Sequence, residues 1–134
     1  MSRKLDTEET ILELQGRKSD LLLEAQLILA SGNTEEAIER FAAAAPMEER
    51  IADFYSKRKD VDETARHKFS AAVCYAKSGS LREAIRLFDV LSRDAQTPGR
   101  LKVDAILFGG KLRQQQHEAL QTYSQTLQTA GLGG

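Results

Sequence analysis

The feature that most constrains this chain is an internal copy: Ser31-Gly-Asn-Thr-Glu-Glu-Ala-Ile-Glu-Arg-Phe41 returns without a gap as Ser78-Gly-Ser-Leu-Arg-Glu-Ala-Ile-Arg-Leu-Phe88. A weaker third copy is His117-Glu-Ala119-Leu-Gln-Thr-Tyr123. Each copy puts a small residue four positions before an aromatic, in the pairs Ala37 and Phe41, Ala84 and Phe88, and Ala119 and Tyr123. Residues four apart share one helix face, so the alanine lets a second helix approach closely and the aromatic fills the space beside it. A unit of this kind buries its apolar face only by stacking on neighbours, which predicts a row of packed helices.

Start and stop signals divide that row into six predicted helices. Asp6 and Glu9 form a capping box before the stripe Ile11, Leu14, Leu21, Ala25, Ile28, which ends at Ser31-Gly32. Asn33 and Glu36 cap a short second helix holding Ala37, Ile38, Phe41 and Ala44. Pro46 suits the first turn of a third helix, whose stripe from Ile51 through Phe54, Val61, Ala65, Phe69 and Ala72 to Ala76 predicts one long element ending at Ser78-Gly79. Asp60 and Glu63 offer a second start, and hence a break, within it. Ser80 and Glu83 open the fourth helix, and Thr97 followed by Pro98 opens the fifth. Gly109-Gly110 inside the fifth predicts close packing or a bend, since each glycine there costs about 1 kcal/mol relative to alanine. A sixth helix carries Ala119, Leu120, Tyr123 and Leu127, and residues 130–134 form a frayed tail. The expected fold is all-α: one domain over 1–134, with antiparallel helix pairs at about 6–45, 46–95 and 97–129.

The overall chemistry excludes several functions. Nineteen basic and twenty acidic residues leave a formal charge of −1, too little to gather nucleic acid, and the cluster Lys57-Arg58-Lys59 reads as a solvated helix face. A single cysteine, Cys74, allows no internal disulfide and fits a reducing compartment. No stretch approaches the ~20 apolar residues of a membrane span, and Met-Ser-Arg-Lys-Leu-Asp carries no apolar run, so the expectation is a cytoplasmic protein without membrane insertion.

Alanine and aromatic four apart on a second helix, glycine at the turn, and a small residue in mid-first-helix (Ala25, Ala72) together resemble the tetratricopeptide repeat; Tyr75 also matches the first-helix aromatic in the second copy. Phe88 follows Phe41 by 47 positions and Tyr123 follows Phe88 by 35, against a family period of ~34. The excess places the extra residues in lengthened first and third helices, and the largely unfilled tryptophan, leucine and proline positions make this a divergent likeness. The resemblance implies a short right-handed solenoid whose first helices line a groove. Its positions are Ser19, Leu22, Gln26 and Leu29 in the first copy, Arg66, Phe69, Val73 and Lys77 in the second, and Leu101, Asp104, Phe108 and Lys111 in the third. Such a surface suits the apolar face of a partner helix or peptide, with the charged positions setting register. Alternatively, the longer helices fold over it and make it core. Leu22, Gln26 and Phe69 stand where carboxylate-clamping relatives carry lysines and asparagines, which argues against chaperone-tail binding.

Other residues invite a chemical reading and answer better to a structural one. His67 and His117 are far apart in the repeat, and His67 has only Glu63 at helical spacing as a partner. Cys74 beside Tyr75 reads as an inert buried thiol. The pairs Glu35-Glu36 and Glu48-Glu49 read as first-turn acids facing the helix dipole, and Gly133-Gly134 as a flexible end. The sequence therefore predicts no enzyme, cofactor or metal site. It points to an adaptor that binds another protein, or alternatively to a homo-oligomer that self-associates through the same surface.

Overall fold

The computed structural model describes residues 6–131, and all of its regular structure is helical. There are five helices: α1 (Glu8–Ala30), α2 (Thr34–Lys57), α3 (Val61–Lys77), α4 (Leu81–Arg93) and α5 (Gly99–Thr129). Each packs on the next in the chain, and α5 also touches α3. Among the described residues the backbones of α1 and α3 stay apart.

Three successive connections use one turn. Gly32 and Gly79 take the left-handed conformation, with φ of 91° and 84°, and the next amide (Asn33, Ser80) donates back to a carbonyl five residues earlier (Ile28, Tyr75). That closure satisfies carbonyls left free at the end of a helix. The α2–α3 turn repeats it with Lys59 at φ 60° and the Asp60 amide donating to Tyr55. Asn33 and Asp60 then cap the following helices by accepting from the Glu36 and Glu63 amides.

The expected six helices are corrected to five. Residues 46–57 belong to α2, not to a long third helix, and the break falls at Arg58–Asp60, where the alternative start was read. Pro46 lies inside α2 on its exposed side, so the Ala42 carbonyl that loses its donor is also exposed. The opposite face runs on through Phe41, Ala44, Ala45, Glu48, Ile51, Ala52 and Phe54, all buried, and that packing carries the helix past the proline. The fifth and sixth predicted helices are one element, α5. Gly109 abuts Phe88, where an added Cβ would stand 3.2 Å from the Phe88 Cβ, so the glycine serves close approach and the helix continues. Thr7, not Asp6, caps α1, accepting from the Thr10 amide, while Asp6 pairs with Arg50. Pro98 rather than Thr97 is the last residue before α5. Met1–Leu5 and Gly133-Gly134 lie outside the described residues.

The core has three parts. Ile11 and Leu14 of α1 meet Ile51 and Phe54 of α2; further along the same pair, Ala25 meets Ala37, Phe41 and Ala44, with Cys74 of α3 added. Across α3, α4 and α5 a third part joins Ala65, Ala72, Ala84, Leu87, Phe88, Leu91 and Ala105. Beyond Arg113, whose guanidinium pairs with Asp89 of α4, every described residue of α5 except Leu127 is exposed, so the last four turns project past the other helices.

Candidate functional site

Where the first helices were expected to line a groove, α3 and α5 meet. The Phe69 and Phe108 ring centroids are 6.0 Å apart, and both rings contact Phe88 of α4, at 5.4 and 6.1 Å. Edge-on and tilted aromatic pairs at these separations add to simple burial. Val73 and Leu101 pack against the same core, and Phe108 remains 43 % exposed. Four of the groove positions are thereby brought together: Phe69, Val73 and Leu101 half-buried as its floor, Phe108 standing out of it. Arg66 lies at the edge, paired with Glu63 of its own helix; Asp104 is half-buried and Lys111 exposed.

The α1 positions do not join them. Leu22 packs against the α1–α2 cluster that Cys74 of α3 joins, Gln26 and Leu29 are exposed, as is Ser19, and the α1 backbone does not touch that of α3. Lys77 is turned to α2, its ammonium 5.1 Å from the centre of the Phe41 ring, where it covers an aromatic face.

The sequence reading missed the most buried charge. Glu48 is 1 % exposed, where a solvated first-turn acid was expected. One of its oxygens lies 3.0 Å from His67 Nδ1 and 3.3 Å from Lys18 Nζ, so α1, α2 and α3 meet on a single carboxylate. Burial pushes its pKa up, but the His67 hydrogen bond and the Lys18 charge outweigh this and hold it below the ordinary 4.5. His67 Nε2 lies 3.4 Å from Glu63 Oε2, the pair read from the i, i+4 spacing, and its ring stacks on Tyr55 with centroids 5.6 Å apart. The signal for Glu48 was present in its place on the buried stripe between Ala45 and Ile51, once α2 runs through Pro46.

A histidine between two carboxylates could serve acid–base chemistry if a substrate reached it. Here both ring nitrogens already face carboxylates and the ring is stacked on Tyr55, and the clefts beside Thr64 and Leu91 and beside Ile11 and Phe54 are lined by neither His67 nor Glu48. The arrangement is a brace that binds three helices. Burial, with Glu48 nearby, raises the Cys74 thiol to about 11, which suppresses thiolate at neutral pH. Among the described residues no three His, Cys, Asp or Glu side chains converge as a metal would require, and no helix is long and apolar enough to cross a membrane. No protein-family model matches the chain, and comparison with curated proteins and with solved structures gives no match.

Proposed function

We propose that the chain is a non-enzymatic interaction module of tetratricopeptide-like design, which takes the apolar face of a partner helix or peptide along the α3–α5 face. Two hairpins, α1–α2 and α3–α4, followed by α5 as a further first helix, accommodate the five elements. The observation that carries the reading is Phe108, a large aromatic left 43 % exposed on a floor of Phe69, Val73 and Leu101. An aromatic anchor beside half-buried aliphatics, with Arg66, Asp104 and Lys111 at the margin, has the composition of an interaction hot spot. Helix α1 is left out of this surface, because Gln26 and Leu29 are exposed and the α1 and α3 backbones do not touch.

The test uses amphipathic helical peptides selected from a displayed library against the purified protein. Binders should shift the amide resonances of Arg66, Phe69, Val73, Leu101 and Phe108 in a labelled sample, and Phe108→Asp should weaken them at least tenfold, about 1.4 kcal/mol, while the far-UV spectrum is unchanged. A library without binders, or shifts confined to other faces, would overturn the reading.

A further inference from the structure

The two outermost helices each carry a second apolar stripe, on the side away from the core. On α1 it is Leu12, Gly16, Leu23 and Leu27, and on α5 it is Val103, Ile106, Leu107 and Gly110. At 100° per residue each set falls on one face. The six large residues among them are 55–67 % exposed, and no described residue covers them. Single exposed leucines are ordinary, but two aligned stripes at opposite ends of a helix row leave the row without end caps.

The charges beside these stripes are opposite. Helix α1 has five acidic and two basic residues, a net of −3, and Glu9, Glu13 and Asp20, which flank its stripe, make no ion pair among the described residues. Helix α5 has four basic and two acidic residues, a net of +2, with Arg100 and Lys111 on one side of its stripe and Lys102 and Arg113 on the other. Arg100 and Lys102 also lack an ion pair among the described residues, whereas Arg113 is held by Asp89. The two glycines fit the same arrangement. Gly109 is explained within the chain by Phe88, but an added Cβ at Gly16 or Gly110 would meet nothing within 4 Å. Each weakens its helix without serving the fold, and each would let a partner backbone approach.

We propose that the occupant of each stripe is a second copy of this chain: the acidic outer face of α1 docks on the basic outer face of α5 of the next molecule, head to tail. Such a contact is heterologous, with different patches meeting, so it propagates unless rotation closes it into a ring. The patch shares Lys111 with the margin of the α3–α5 groove but does not depend on that groove.

The experiment is light scattering over a wide concentration range on the wild type, on Glu13→Lys/Asp20→Lys, and on Arg100→Glu/Lys102→Glu, with circular dichroism to verify folding. The wild-type mass should climb past that of two chains with concentration and fall with added salt. Each variant alone, with like charges on both ends, should stay a single chain. Their equimolar mixture should regain the mass, because each variant's α1 then faces an oppositely charged α5. A wild type that remains a single chain, a plateau at the mass of two, or a mixture no heavier than its components would overturn the proposal.

Discussion

Lys59 is where the regularity of the chain and the chemistry of its residues diverge. Three turns share one closure, and two place glycine at the left-handed position while the third uses a lysine at φ 60°. A side chain in that conformation is strained by roughly 1–2 kcal/mol because Cβ crowds the following carbonyl. The turn persists because Asp60 caps α3, accepting from the Glu63 amide at 3.2 Å, and the Asp60 amide closes on Tyr55. Lys59→Gly should therefore stabilise the protein by about 0.5–1 kcal/mol, seen as a higher urea midpoint at an unchanged slope. A Gly32→Lys or Gly79→Lys change should lower the midpoint by a similar amount. The same residue explains why the α2–α3 boundary was hard to read. Both glycine turns announce themselves in the sequence, whereas Arg58-Lys59-Asp60 looks like a charged helix surface and only the Asp60–Glu63 capping pattern marks the start.

At the scale of elements, glycine and proline misled in opposite ways. Pro46 read as the first residue of a helix and is interior to one, because a buried stripe on the other side outweighs a single lost hydrogen bond. Gly109-Gly110 was open to close packing or a bend, and close packing at the first glycine accounts for it. The two positions make an internal comparison. Gly110→Ala adds a methyl into open space and should stabilise α5 by about 0.5–1 kcal/mol, the ordinary helix preference of alanine over glycine. Gly109→Ala should forgo that gain or reverse it, since Phe88 must move to admit the new carbon. Thermal denaturation of the two single variants checks this; equal gains would mean that the Phe88 contact is looser than 3.2 Å implies. The helical class and the Asn33 and Ser80 helix starts were legible because they rest on local spacing. That α1 and α3 share side-chain contacts around Ala25 and Glu48 while their backbones stay apart was not legible, since no local spacing encodes the distance between helices that are not neighbours in the chain.

For the molecule as a whole, Glu48 is the point where the first three helices are held together. Removing one member of a buried charged group strands the others, and hydrogen bonds to charged groups contribute about 1.5–3 kcal/mol each. Glu48→Gln keeps the size and loses the charge, so it should lower stability by about 2 kcal/mol at pH 7. The folded pKa of Glu48 lies below its ordinary 4.5, which means that ionisation favours the folded chain above that value and the benefit is lost as pH falls through the folded pKa. The gap between wild type and variant should accordingly be full at pH 6–7 and shrink as pH drops below about 4.5, measured by urea unfolding across that range. A gap independent of pH would show that the carboxylate charge is not what binds the three helices.

The packing of each helix on the next has a consequence in time as well as in space. Nearly all backbone contacts between elements join helices that follow one another in the chain, the exception being the touch of α5 on α3, and within the first hairpin side-chain contact reaches as far as Glu8 with Arg58, 50 residues apart. Each hairpin can zip outward from its turn, so the entropy of loop closure is met in small steps even where the last pairs to form are far apart in sequence. Refolding on the microsecond-to-millisecond scale of helical proteins is therefore the expected outcome, checked by temperature-jump fluorescence, and a hairpin can settle before the helix that follows it has left the ribosome.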